Sequence, residues 1–162
     1  MPTGLDALYT AHHSMVFATA YRVTGNAADA EDVLHTVFLR LLKREESAAV
    51  AISNPEGYLR RSAVNAALDI VRARREAPGV ELDRLPSPGV DPELGDLQKH
   101  LRAALGTLPE RSAAVFVLRH FEGHRNPEIA KMLGMSQVVV AVTLHRARKA
   151  LQKELTRLGV KR

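Results

Sequence analysis

Cysteine and tryptophan are both missing from the chain, and aromatic residues of any kind make up only 4% of it. Without cysteine there can be no disulfide, no thiolate nucleophile and no cysteine-based zinc site. With so few rings, any core has to be built from aliphatic side chains. No apolar run approaches the ~20 residues that a membrane span needs, so no direct membrane insertion is expected. The first residues, Met1-Pro-Thr-Gly-Leu-Asp6, lack the basic and apolar regions of a signal peptide. A cysteine-free chain suits a reducing compartment, and a cytoplasmic location is the expectation. Period-two alternation, internal repeats and low-complexity tracts are also lacking.

Recognisable catalytic chemistry is lacking as well. There is no Walker loop, dinucleotide fingerprint or nucleophile elbow. Acidic residues are scattered or sit at helix starts rather than pairing as catalytic carboxylates. His120 and His124 stand four residues apart, but Gly123 interrupts the helix such a metal pair needs, and no further ligands accompany them. His12-His13 has no partner at ligand spacing. No enzyme activity, cofactor or metal is expected.

What is present is a chain of 162 residues, 46% hydrophobic and 25% charged, able to bury a core. Its 23 Lys+Arg against 18 Asp+Glu give a net charge of +5 and a basic protein. Apolar residues recur at three- and four-residue steps, which predicts an all-α fold. The first stripe, from Leu5 to Ala20, stops at Gly25, a suitable residue to end a helix. Asn26 can cap a second helix whose first turn holds Asp29, Glu31 and Asp32, favourable at the positive end of the helix dipole. Residues Glu45 to Ser53 lose the periodicity and read as a loop. Asn54-Pro55 restarts a third helix, running to the basic end Arg72-Ala-Arg-Arg75. Four of the eight prolines then fall between Ala77 and Pro92, with little periodicity, which reads as a flexible linker. Beyond it, Thr107-Leu-Pro-Glu110 has capping-box spacing, Asn126-Pro127-Glu128 caps a short helix, and Ser136 caps a long last one. The predicted organisation is two small helical domains, residues 1–76 and 93–162, joined by the flexible linker 77–92, with three helices in the first and four in the second.

Within the second block, Glu128-Ile-Ala130 with Leu133-Gly134-Met-Ser136 and Val140 satisfies the constraints of a helix-turn-helix. Ala130 is small where the helices cross, Gly134 supplies the positive φ of the turn, and Ile129, Leu133 and Val140 fill the space between them. A buried helical hairpin accounts for the same residues. In a helix-turn-helix, the helix from Ser136 enters the major groove with its N-terminal residues nearest the bases, and the cations after His145 neutralise phosphates. A solvated basic face is the plainer account of those cations.

Taken together, the blocks resemble an extracytoplasmic-function (ECF) sigma factor of bacterial RNA polymerase. The resemblance rests on four sets in family order: Tyr21-Arg-Val-Thr-Gly-Asn-Ala-Ala-Asp-Ala-Glu-Asp32 with Val37 to Leu41; Tyr58-Leu-Arg-Arg61 with Asn65 and Asp69; Leu105 to Arg111 with Val117-Leu-Arg119; and the helix-turn-helix with Leu144-His-Arg-Ala-Arg148. It implies a region 2 domain (1–76) for polymerase binding and −10 melting, and a region 4 domain (93–162) for −35 recognition. By position, Asp29, Glu31, Asp32, Phe38, Leu39 and Arg40 would dock the clamp helices of the polymerase β′ subunit, while Val115, Phe116 and Arg119 would meet the β flap. The segment Glu45 to Ser53 would form the loop that captures a flipped −10 base, a step that needs a shaped pocket because unstacking costs a few kcal/mol. Tyr58, Arg60, Arg61 and Asn65 would line that site, and Arg72, Arg74 and Arg75 would hold the adjacent backbone. Ser136, Gln137, His145, Arg146, Arg148 and Lys149 would serve the −35 element. The implied partners are core RNA polymerase, promoter DNA and an anti-sigma protein.

The chain departs from the family at informative places. Tyr58 stands where family members usually have Trp, and His35 where Gln is frequent. After Ser136 the usual x-Gly-Thr-Val-Lys-Ser-Arg-Leu becomes Gln137-Val-Val-Val-Ala-Val-Thr-Leu144, so Ala141 and Thr143 replace the usual Lys and Arg. Groove-facing Val138, Ala141 and Val142 could offer only apolar contact, for instance to thymine methyls. The leading expectation is a sigma factor that directs promoter-specific initiation with weak or unusual −35 recognition. The alternatives are a sigma-like protein that binds polymerase or an anti-sigma protein without reading −35 DNA, and an ordinary helix-turn-helix regulator.

Overall fold

The computed structural model describes residues 4–46, 52–76 and 92–159. They form seven α-helices: α1 (Gly4–Thr24), α2 (Ala27–Glu46), α3 (Pro55–Glu76), α4 (Pro92–Leu105), α5 (Glu110–Phe116), α6 (Asn126–Leu133) and α7 (Gln137–Arg157). A π-helical segment, Val117–Phe121, prolongs α5, and there is no strand among the described residues. Most of the expected linker (77–91) and of the expected loop (47–51) lies outside the described residues; Glu45 and Glu46 still belong to α2.

Short-range side-chain bonds start and stop these helices. Gly25 takes φ +69°, ending α1, and its N–H bonds back to the Tyr21 carbonyl at 2.7 Å. The Asn26 side-chain oxygen accepts the Asp29 N–H at 3.0 Å, and Asn54 accepts the Gly57 N–H at 3.2 Å. At α7 the Ser136 hydroxyl accepts the Val139 N–H at 3.1 Å. Two expected caps fall elsewhere. Thr107 turns back and donates its hydroxyl to the Ala104 carbonyl at 2.7 Å, so it closes α4, and Pro109 precedes α5. The start of α6 is capped at Arg125 rather than Asn126, with the Glu128 carboxylate accepting the Arg125 N–H at 3.2 Å.

In the first block α1 packs against both α2 and α3. Val16, Val23, Val33, Val37, Leu41, Leu59, Val64 and Leu68 fill its aliphatic interior. In the second, α4, α5 and α6 all pack on α7 around Leu105, Val115, Leu118, Ile129, Val140 and Leu144. Helices α6 and α7 meet at 102°, with Ala130 buried and Gly134 at φ +65° in the turn. That is helix-turn-helix geometry.

The blocks also pack on each other. Helix α3 of the first meets α4, α5 and α6 of the second, and the buried residues of both form one continuous cluster.

Candidate nucleic-acid interface

Helix α2 presents an apolar groove with α1. Leu5, Tyr9, Leu34, His35, Phe38, Leu39 and Leu42 line a hollow of about 350 Å³. Phe38 lies at its floor against Tyr9, ring centroids 5.0 Å apart, and Leu39 projects from it, 56% exposed. Glu31, Asp32 and Arg40 are exposed on the same helix. Asp29 departs from this surface: it is buried, and its carboxylate is paired with Arg74 of α3. This joins a residue expected at the polymerase to one expected at DNA, and leaves neither side chain free on its surface.

Of the residues expected around a −10 base, Tyr58 and Arg61 share a cavity at the start of α3, whereas Arg60 and Asn65 do not line it. Arg44, Ile52, Ser53, Asn54, Tyr58 and Arg61 line a cavity of about 260 Å³. The Arg44 guanidinium lies 5.6 Å from the centre of the Tyr58 ring, a cation–π arrangement. One turn on, the Asn65 side-chain oxygen is buried without a hydrogen-bond partner. Arg72 bonds the Leu108 carbonyl at 3.1 Å and approaches Asp69 at 3.7 Å. Arg75 belongs to the end of α3, and its side chain lies outside the described residues.

The second block closes over this face. Lys131 and Met132 of α6 complete the wall of the cavity. Glu122, whose side chain is 2% exposed, pairs with Arg22 of α1 and with Arg60 of α3 at 3.5 Å. Arg60 also reaches Glu56 at 3.0 Å. Arg102 of α4 lies against the α1–α2 turn, where a Cβ on Gly25 would fall 2.5 Å from its Nη1. Burial there pushes the Arg102 guanidinium below its ordinary value, with the Tyr21 hydroxyl acting the other way. Glu122, Arg102 and Arg44 carry no motif, and Arg22, though inside the Tyr21–Asp32 set, has no role assigned there; the sequence assigned none of these contacts.

On the outer side of the second block, α7 displays Gln137, Val138, Ala141, Val142 and His145 to solvent, Val138 at 73% exposure. Arg146, Arg148 and Lys149 follow, also exposed. Of the residues expected at the β flap, Val115 is fully buried in the core, so it holds the block together rather than presenting a surface. Phe116 is half-buried beside His120, and Arg119 donates to the His124 carbonyl at 3.2 Å. The two histidines diverge. His120 Nε2 accepts from Arg148 Nε at 3.1 Å, and His124 Nδ1 donates to Glu128 at 3.2 Å. Among the described residues no cluster of His, Cys, Asp or Glu has the makings of a metal site. No single described helix is long and apolar enough to cross a membrane.

Residues 8–77 match the family "Sigma-70 region 2", and residues 99–151 match "Sigma-70, region 4". An ECF RNA polymerase sigma factor, SigE, of Mycolicibacterium smegmatis is 34% identical over 160 residues, 94% of this chain and 62% of that protein. The chain therefore spans less than two thirds of that relative's length. The RNA polymerase sigma-E factor of Streptomyces avermitilis is 34% identical over 142 residues, 85% of this chain and 76% of its own. Among solved structures, the sigma factor RpoE of Bartonella quintana, crystallised in complex with the anti-sigma factor NepR, has the same fold. Its TM-score is 0.55 at 19% identity, covering 91% of this chain and 94% of that one. Regions 2 and 4 in that order define the sigma-70 class of transcription initiation factors. Within that class, the chain belongs to the ECF sigma factor family.

Proposed function

We propose that this chain binds core RNA polymerase and directs it to promoters as an ECF sigma factor, working in the cytoplasm and without catalysis of its own. The observation that carries the reading is the open apolar groove between α1 and α2, with Leu39 standing out of it. An exposed apolar hollow rimmed by charge is the ordinary mark of a protein-docking site. It lies in the part of the chain that matches region 2, where the family docks the β′ clamp helices. In this reading Glu31, Asp32, Phe38, Leu39 and Arg40 form the clamp contact, and Phe116 and Arg119 contribute toward the β flap.

The region 2 domain (1–76) takes the −10 element. Tyr58 offers a stacking face, with Arg60, Arg61 and Asn65 around it and the guanidinium of Arg72 toward the backbone. Region 4 (93–162) takes the −35 element. Ser136 and Gln137 sit at the start of α7, and His145, Arg146, Arg148 and Lys149 follow along it, supplying phosphate contacts that hold register without reading sequence. The linker 77–92 lets each domain reach its own element, which makes the pair stronger than either alone. An anti-sigma protein completes the set of partners. The B. quintana neighbour was crystallised with such a protein.

The test is competition for core RNA polymerase against a labelled housekeeping sigma factor, read by fluorescence anisotropy. Sub-micromolar competition is expected. A folded protein that leaves the labelled sigma factor bound at micromolar concentrations would refute the proposal.

A second reading is favoured by one observation. The outward face of α7 carries Val138 and Val142 and lacks the usual Lys and Arg, so it suits a protein partner as well as a groove. In that case, placing basic residues at Ala141 and Thr143 leaves transcription from −35-bearing promoters unimproved.

A further inference from the structure

We propose that Glu122 is an internal latch, an acidic side chain of the second block that occupies the −10 face of the first and excludes single-stranded promoter DNA until the blocks part. The inference rests on the sigma-factor reading above and adds regulation to it.

Three separate contacts close the same face. Glu122 is buried and reaches two guanidiniums of the other block, Arg22 and Arg60. A carboxylate held by two arginines is the arrangement those arginines would otherwise offer a phosphate. Arg72, a second cation expected at the DNA backbone, is engaged by the Leu108 carbonyl. Lys131 and Met132 wall the cavity that holds Tyr58 and Arg61, so a base cannot enter from that side. A Cβ on Gly57 would come 3.3 Å from Met132 Cγ, which shows how closely α6 lies on the start of α3. Region 4 therefore occupies, within one chain, the residues assigned to the −10 strand.

The closed arrangement is not purely apolar, and that makes it reversible. Glu122 Oε1 and Arg60 Nε are both buried without hydrogen-bond partners, so the seam is incompletely satisfied. Unsatisfied buried polar atoms lower the stability of the closed form relative to one in which Glu122 meets water and Arg60 meets water or a phosphate. The competing partners are then of one kind, polyanionic DNA against a single carboxylate. Apparent DNA affinity falls with the fraction of molecules that are open.

The test uses the absence of native cysteine. Labels at Lys43→Cys and Lys153→Cys, both exposed positions in different blocks, report the distance between blocks by double electron–electron resonance. In the same full-length background, Glu122→Gln and Arg22→Gln each remove one side of the latch. They change net charge in opposite directions, and Arg22 is exposed enough to be replaced without harm to folding. The probe is fluorescent single-stranded DNA of mixed sequence. Both variants are expected to lengthen or broaden the distance distribution and to bind the DNA about tenfold more tightly than the parent. A simple charge effect would instead strengthen binding for Glu122→Gln and weaken it for Arg22→Gln, and that split would overturn the latch. Unchanged distances and affinities in both variants would overturn it too. If the parent still competes for core polymerase, such a result leaves the sigma reading standing. An opened variant that still ignores the DNA overturns the latch as a competitor and faults the −10 assignment of this face; loss of polymerase competition is the separate sign that the sigma reading fails.

Discussion

Arg74 near the end of α3 pairs with the carboxylate of Asp29 in the first turn of α2. The two side chains are 30% and 10% exposed, so the pair is half sheltered rather than solvated. Asp29 is thereby spent on joining two helices of region 2, at the end of a helix whose N-terminus favours negative charge. In the sigma-factor function proposed above, the polymerase-facing role would fall to its exposed neighbours Glu31 and Asp32.

Asp29→Asn is expected to destabilise the protein by roughly 1–2 kcal/mol, since it leaves a guanidinium without its countercharge in a partly shielded place. Urea melts monitored by circular dichroism check this. Glu31→Gln, on the solvent-facing side of the same turn, is the comparison and stays within about 0.5 kcal/mol of the parent. Equal effects would place Asp29 among ordinary surface charges.

His120 gives a pH signature. Partial burial pushes its imidazole below the ordinary value, and the charges of Arg148 and Arg119 push the same way. Its Nε2 accepts the Arg148 N–H, so the neutral ring is the form that fits. The unfolded chain then binds the proton more readily than the folded one. Stability from this group is full above the unfolded value of about 6.5 and is lost as pH falls from there through the folded value. His120→Gln, which keeps an acceptor and cannot titrate, is expected to flatten that part of the stability–pH curve. Glu128, held low by the Arg125 N–H and then by His124, acts in the same direction, but at more acid pH, below about 4.3. The two windows are therefore separable in one set of melts.

Local chemistry was legible in the sequence, and long-range pairing was not. Asn26, Asn54 and Ser136 each act on an N–H three residues away, so spacing alone encodes them, as it does the turns at Gly25 and Gly134. Thr107 shows the limit of that code: Thr-x-x-Glu suits a forward cap, yet the hydroxyl found a carbonyl behind it in a helix that had just ended. Family position alone assigns Val115 to the flap, while the apolar stripe it belongs to packs against α7 and buries it. Arg22 and Glu122 are 100 residues apart. Nothing in either neighbourhood announces the other, and Glu122 stands between His120 and His124 with no pattern of its own.

Leu39 separates docking from folding. It is 56% exposed, so Leu39→Ala is expected to leave stability within about 0.5 kcal/mol of the parent. As an apolar anchor at the centre of a docking groove, its loss is expected to weaken core polymerase binding about tenfold. Competition anisotropy measures the second effect and a urea melt the first. Undiminished binding would move the polymerase contact off this groove.

The valine-bearing face of α7 makes its own prediction about DNA. Val138 and Val142, 73% and 43% exposed, lie one turn apart on the same side as Ala141 and Gln137. None of the three apolar side chains can hydrogen-bond a base edge, but each can touch the C5-methyl of thymine, the only apolar feature of the major groove. Burying one methyl contributes about 0.8 kcal/mol, or roughly fourfold in affinity. Replacing thymine by uracil at a contacted −35 position removes that methyl and nothing else. Binding of region 4 to duplexes selected from a random pool should therefore fall about fourfold per contacted thymine, and Val138→Ala should erase the difference at its own position. Phosphate contacts from Arg146, Arg148 and Lys149 act equally on both duplexes, so they drop out of the ratio while setting its dependence on salt. If selection yields no preferred duplex, or uracil is tolerated everywhere, the face has no methyl to read, and a protein partner becomes the better account of the exposed valines of α7.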